Sequence, residues 1–200
     1  MKKAILAAAM VIAAGSTSAL AASSSPEGGQ LTFHGLVSPT TCTKIITSVR
    51  GQQSTDGDVY LLTAAPADIT AEVQSDAYGA KPEPFSIALD CKGATGVTAG
   101  VSKASLTINS AFRNTKGALS NDTSLTVNNN PAAGNVDIAI HDADTKAQVK
   151  VDGTEVHQAI FDTDSVATYN FMASYVKSVA ADQVTPGHVT TLATYSFTYE

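Results

Sequence analysis

The residues of this chain best suited to covalent or metal chemistry are two cysteines, Cys42 and Cys91, and four histidines, His34, His141, His157 and His188. A metal site needs three or four such ligands close together, and the histidines are scattered along the sequence. Asp142 with Asp144, and Asp162 with Asp164, have the spacing of calcium ligands, but neither pair continues with the glycine and distal glutamate of an EF-hand loop. They read as solvated turn acids. Nucleophilic catalysis needs a serine or cysteine with a placed histidine and acid. Serines abound, yet there is no G-x-S-x-G motif, and Gly15-Ser16 lies in the apolar leader. Asn121-Asp122-Thr123 is a formal glycosylation sequon that reads as a surface turn. No catalytic residue, metal site or cofactor is expected.

The first residues set the compartment. Lys2 and Lys3 precede an uncharged run, Ala4 to Ala14, that holds Ile5, Leu6, Met10, Val11 and Ile12. Ala19-Leu20-Ala21 then supplies the small-residue pattern a signal peptidase reads. Residues 1–21 are therefore expected to be a secretory signal cut after Ala21, too short to span a bilayer. No later stretch is long and apolar enough for a transmembrane helix. Export implies an oxidising compartment, where two thiols pair. A Cys42–Cys91 disulfide is the reading preferred over a metal or catalytic role. Its loop of about 50 residues would stabilise the fold by about 4 kcal/mol. Loss of the leader removes two lysines and no acid from a chain already at −6. Nothing basic clusters, which excludes nucleic acid and anionic lipid as partners.

The elements that position these residues repeat with period two. Phe85, Ile87 and Leu89 alternate with polar or small neighbours on the way into Cys91. Leu106 and Ile108 do the same, as do Val136, Ile138 and Ile140, and then Tyr169, Phe171, Ala173 and Tyr175. Such alternation predicts strands with one buried face. Turn-rich segments separate them: Ser75 to Pro84, Asn128 to Pro131, Ala133-Gly134-Asn135 and Thr185-Pro186-Gly187. Asp152-Gly153 reads as a hairpin turn between Val149, Val151 and Val156. A helix of one or two turns is expected only near Pro66 to Val73. Many short strands with frequent turns and no long linker read as one all-β sandwich.

The two ends differ in kind. Ala193, Tyr195, Phe197 and Tyr199 share one face of a final strand, which places aromatic side chains where chain ends usually fray. Near the other end, Ala22 to Gly28 is small and polar. It leads into Gly29, Leu31, Phe33, Gly35 and Val37, again on one face. Glycines on the buried face of a strand suit a close approach by another backbone. This segment has the pattern of a strand that adds itself to another sheet.

Together these features resemble the pilins of chaperone–usher fimbriae, of the type 1 major-subunit kind. The resemblance is carried by Gly28, Gly29, Leu31, Phe33, Gly35 and Val37 ahead of Cys42, and by the F-x-I-x-L run into Cys91. Asn135 to Asp142, the alternation of Tyr169, Phe171, Ala173 and Tyr175, Thr185-Pro186-Gly187 and Ala193 to Tyr199 continue it. It implies an incomplete immunoglobulin-like β-sandwich completed by donor-strand complementation. Residues 22–37 would be the donor extension and 38–200 the pilin domain. The donor face would be Gly29, Leu31, Phe33 and Gly35. The acceptor groove would lie between the first strand after Val37 and the final strand, Ala193, Tyr195, Phe197 and Tyr199. Glu27 falls on the donor face, where the family pattern favours an apolar or small residue. The implied partners are copies of the chain or sister pilins, a periplasmic chaperone that lends a strand, and an outer-membrane usher. The implied destination is the cell surface, in a fimbrium used for adhesion. The alternative from a different class is a self-complete secreted β-sandwich that binds a carbohydrate or protein; the absence of tryptophan disfavours a sugar-stacking site.

Overall fold

The computed structural model describes residues 42–50, 53, 56–127 and 129–200. The expected signal and donor segments, residues 1–21 and 22–37, lie outside the described residues. The described residues form nine strands: β1 (Thr43–Ser48), β2 (Ala80–Asp90), β3 (Lys103–Asn109), β4 (Leu119–Ser120), β5 (Asp137–Asp142), β6 (Gln148–Val149), β7 (His157–Ile160), β8 (Val166–Val176) and β9 (Thr194–Tyr199). One sheet has the order β1-β2-β8-β5-β4, with β6 also paired to β5; the second has the order β7-β3-β9. Every pairing within these sheets is antiparallel.

The alternating side chains account for the packing. Phe85, Ile87 and Leu89 of β2, Tyr169, Phe171 and Ala173 of β8, and Ile138 and Ile140 of β5 are buried together with Ala104, Leu106 and Ile108 of β3. Two sheets facing each other through such side chains make a β-sandwich. Cys42 and Cys91 are joined with Cα atoms 4.2 Å apart. They tie the start of β1 to the end of β2, next to the Thr43–Asp90 pair. The Tyr169 hydroxyl donates to the Ala104 carbonyl and so links the two sheets through the core.

Several local expectations are corrected by tertiary context. β5 was expected to bury one face, yet Asp137, Ala139 and His141 are buried along with Ile138 and Ile140. The cause is the segment before β2, which crosses the outer face of the large sheet as a strap. Lys177 N–H donates to the Ala71 carbonyl at 2.8 Å, and Gln148 N–H to that of Ser75 at 3.0 Å. The His141 Nε2 lies 2.8 Å from the Gln74 carbonyl, and Tyr78 Oη donates to the Ala143 carbonyl at 2.9 Å. Gly79 ends the strap so close to β8 that a Cβ there would sit 2.2 Å from the Tyr175 carbonyl oxygen, which only glycine permits. The helix expected near Pro66 to Val73 is a single 3-10 turn, Pro66–Asp68, because the chain must then extend into this strap.

The turn-rich reading of Ser75 to Pro84 is also revised: β2 begins at Ala80 and runs through Pro82 and Pro84. β1 reaches only as far as the Ser48–Phe85 pair, so this part of β2 has β8 on one side alone. A proline without an N–H is tolerated there. Asp152-Gly153 does turn the chain, and Gly153 has φ of +77°. The two arms do not pair with each other, however: β6 joins β5 in the large sheet and β7 joins β3 in the small one. Asn121 is not on a surface turn. It is buried, donating from Nδ2 to the Ala133 carbonyl at 2.9 Å and accepting from Thr190 N–H at 2.8 Å.

Two outcomes follow. Replacing both cysteines, as Cys42→Ser with Cys91→Ser, removes a cross-link across 49 residues. It should lower stability by about 4 kcal/mol in denaturant unfolding under oxidising conditions, and by nothing when both proteins are reduced. Burial raises the Tyr169 hydroxyl pKa from 10.0 to about 12. A group whose folded pKa is raised stabilises fully below its unfolded value, and that contribution is lost as pH rises from 10 through about 12. Tyr169→Phe should flatten this part of the stability-versus-pH curve.

Candidate functional site

Among the described residues, the two sheets are open along one side. Among the described residues, β1 pairs with β2 alone and β9 with β3 alone. Between these rims lies a cleft of about 430 Å³. Its apolar lining includes Ile46 of β1, Phe85 and Ile87 of β2, Ile108 of β3, and Ile138 and Ile140 of β5. Residues 57–61 and 189–195 form its walls. Ser48 Oγ donates to the Asp58 carbonyl at 3.0 Å, which holds the first wall against β1. Ser110 Oγ bonds to the Leu192 carbonyl and holds the second near β3.

The aromatic face of the last strand behaves as a rim. Tyr195, Phe197 and Tyr199 stand opposite Ile108, Leu106 and Ala104 and so share their core face. The β3 residues are 0–3% exposed. Tyr195 and Phe197 are only partly buried, and Tyr199 is 36% exposed. The difference arises because β9 is an edge strand among the described residues; of its rings, Tyr195 lines the cleft. Phe197 lies 5.9 Å from the Tyr169 ring and 5.8 Å from that of Tyr195, centre to centre. Ala193 is likewise partly buried against the core.

The backbone of β9 has a defined polarity. Lys103 and Glu200 exchange two backbone hydrogen bonds, at 3.0 and 3.1 Å. Antiparallel alternation then turns the N–H and C=O of Ser196 and Thr198 toward β3, and those of Tyr195, Phe197 and Tyr199 to the opposite side. On β1, Lys44, Ile46 and Ser48 share the face of their partners Leu89, Ile87 and Phe85. The Lys44 ammonium lies 5.8 Å from the centre of the Tyr195 ring, so its side chain reaches across the cleft mouth. Burial raises the Tyr195 hydroxyl pKa, and the charge of Asp56 adds to that.

The sequence-derived site residues fall as follows. Ala193, Tyr195, Phe197 and Tyr199 lie together on the β9 rim. Gly29, Leu31, Phe33 and Gly35 lie outside the described residues. Lys44, Ile46 and the two walls were not singled out from the sequence. The run Thr43-Lys44-Ile45-Ile46 has no clean period of two, and the walls carry no strand pattern. The acids with calcium-like spacing serve their own turns. Asp142 Oδ1 accepts from Asp144 N–H at 3.1 Å and Thr145 N–H at 2.7 Å. Asp162 Oδ1 accepts from the N–H groups of Asp164 and Val166, both at 2.9 Å. Among the described residues no group of three or more metal-ligating side chains comes together.

The sequence pattern of the fimbrial protein family matches residues 32–200. The chain belongs to the fimbrial protein family. No curated protein matches it. Among solved structures this fimbrial subunit is similar to a chaperone–usher pilus, with 21% identity and a TM-score of 0.53 over 88% of this chain and 98% of the other. It is similar also to the P pilus rod subunit PapA, with 19% identity and a TM-score of 0.54 over 82% and 100%. A further match, to the CupB6 tip adhesin from Pseudomonas aeruginosa, has 16% identity and a TM-score of 0.46; it covers 62% of this chain and 32% of that one. The fimbrial subunit therefore has the immunoglobulin-like pilin fold, and it is a structural rather than an enzymatic protein. Among its described residues no helix is long and apolar enough to cross a membrane.

The half-open position of the β9 rings has a measurable consequence. Phe171, 1% exposed, fills the core, and Phe171→Ala should cost about 3–5 kcal/mol in denaturant unfolding of the fimbrial subunit. Phe197→Ala should cost clearly less, because that ring is only partly buried.

Proposed function

We propose that this protein is a chaperone–usher pilus subunit that polymerises by strand exchange, the segment around Gly29, Leu31, Phe33 and Gly35 of the next copy entering the cleft between β1 and β9. The observation that carries this reading is the cleft itself. It is a largely apolar trough between β1 and β9, the edge strands of the two sheets among the described residues. A sheet edge beside an exposed apolar surface invites another strand and aggregates if left open. A donor strand would meet the side of β9 that carries the N–H and C=O of Phe197 and would place every second side chain in the trough. Burial of Leu31 and Phe33 contributes roughly 3–6 kcal/mol before ordering costs.

On this reading a periplasmic chaperone covers the cleft first, and an outer-membrane usher exchanges its strand for that of the next subunit. The product is a surface fibre for cell adhesion. The small glycines flanking Leu31 and Phe33 let the donor backbone settle beside a β9 rim already crowded by aromatic rings.

Leu31→Asp and Phe33→Asp test the assignment, because a carboxylate is costly to bury in the trough. Each variant should still be recovered folded with its chaperone, yet should give no fibres by electron microscopy and no detergent-resistant ladder. Fibres of normal length from both variants would overturn the donor assignment. A wild-type chain that stays a stable monomer would favour a self-complete binding module instead.

A further inference from the structure

Nothing basic clusters along the sequence, yet folding gathers Arg113, Lys116 and Lys150 around one hollow, on a chain whose net charge is −6. The hollow measures about 490 Å³, and Asp152 is the one acid among its described lining residues. It shares no lining residue with the cleft. One wall is the turn of residues 113–117 ahead of β4, and the other is Lys150 to Asp152, just past β6. Both strands lie beside β5, toward the opposite edge of the large sheet from β1.

The walls are fixed before any ligand arrives. Asn114 Oδ1 accepts from Lys116 N–H at 2.8 Å and from Ala118 N–H at 3.0 Å, which closes the turn. Gln148 Nε2 donates to the Lys116 carbonyl at 2.7 Å, and Val151 N–H to that of Gly117 at 3.2 Å, so the two walls are bonded together. A Cβ at Gly117 would lie 2.8 Å from Lys150 Cγ, so the glycine lets the Lys150 stem rest against the turn.

The charges in the hollow are not equally engaged. The Lys116 ammonium is held by the Glu72 carboxylate and the Ser178 carbonyl. Asp152 Oδ1 accepts from Thr154 N–H at 2.9 Å and from the Thr154 hydroxyl at 2.7 Å. Those bonds hold the Asp152 carboxyl below its ordinary pKa, and the Arg113 charge adds a smaller part. Arg113 donates through Nη1 to the Asp152 carbonyl at 3.3 Å, which uses one of the five N–H groups of a guanidinium. Among the described residues neither Arg113 nor Lys150 forms an ion pair.

We infer that Arg113 and Lys150 bind the carboxylate of an acidic saccharide unit. A forked guanidinium beside an ammonium matches a carboxylate, and the contacts are charge-assisted. The hollow is within the size range of small-molecule sites, about 300–1,000 Å³. Its walls carry Asn114 and Thr115 and no aromatic ring, which suits a hydroxylated body over an apolar one. A long polyanion is disfavoured, because the net negative charge of the chain repels it beyond these two cations. The site does not depend on strand exchange.

Equilibrium dialysis of the full mature chain against labelled glucuronate, at low ionic strength, tests the inference. One site per chain is expected, with a Kd of about 1 mM, the affinity that two charge-assisted contacts support. Arg113→Gln and Lys150→Gln should each weaken binding about 10-fold, and the double variant should abolish it. Lys103→Gln, on β3 and outside the hollow, should bind like wild type. Arg113 and Lys150 are both exposed, so their variants should keep the wild-type unfolding midpoint. Glucose, which lacks the carboxylate, should not compete. Glutamine variants that bind glucuronate like wild type would overturn the inference. So would competition by glucose, tighter binding of inorganic sulfate than of glucuronate, or no saturable binding below about 10 mM.

Discussion

The constraint on which the rest of this structure depends is that the two edge strands beside the cleft, β1 and β9, belong to different sheets and are not bridged by a strand between them among the described residues. A sandwich buries its core only where both sheets are covered at the sides as well as face to face. Here one side is left to a trough of about 430 Å³ lined by isoleucines and phenylalanine. Tyr195 and the walls at residues 57–61 and 189–195 line that opening.

The remainder of the fold is built to hold the opening firm. The Cys42–Cys91 bond fixes β1, which has only β2 as a neighbour among the described residues, to the end of β2. On the far face, the strap that runs up to Gly79 accepts backbone hydrogen bonds from Lys177, just past β8, and Gln148 of β6, and it holds the His141 side chain of β5, so the large sheet is supported from outside. Arg50 lies 3.0 Å from the buried carboxylate of Glu83 and closes the lower end of β2, where β1 no longer reaches.

Several described polar residues that might have suggested chemistry serve the scaffold. Asp142, Asp152 and Asp162 accept hydrogen bonds from amides of their own turns. His141 is wholly buried between β5 and the strap, and His157 packs edge-on against Phe171 at 5.8 Å. Their side chains set the paths of loops and layers, as suits a structural subunit of the fimbrial family.

What the sequence determined by itself is what strand periodicity and residue chemistry express locally. The alternating runs around Phe85, Leu106, Ile138, Phe171 and Phe197 each became a strand, because a period of two has one stable use, a strand with a buried face. The pairing of Cys42 with Cys91 was legible from the export leader and the count of thiols. The tertiary structure alone decided which strand neighbours which. It sent the two arms of the Asp152-Gly153 turn to different sheets, laid the strap over β5, and buried Asn121 and Asp137. Lys44 and Ile46 as cleft residues were also invisible, since Thr43 to Ser48 shows no clean alternation and β1 becomes a rim only through its place at the edge of the sheet. Local pattern states which face of a strand is apolar. Whether that face meets another sheet, a strap or an open cleft depends on contacts between residues far apart in the chain.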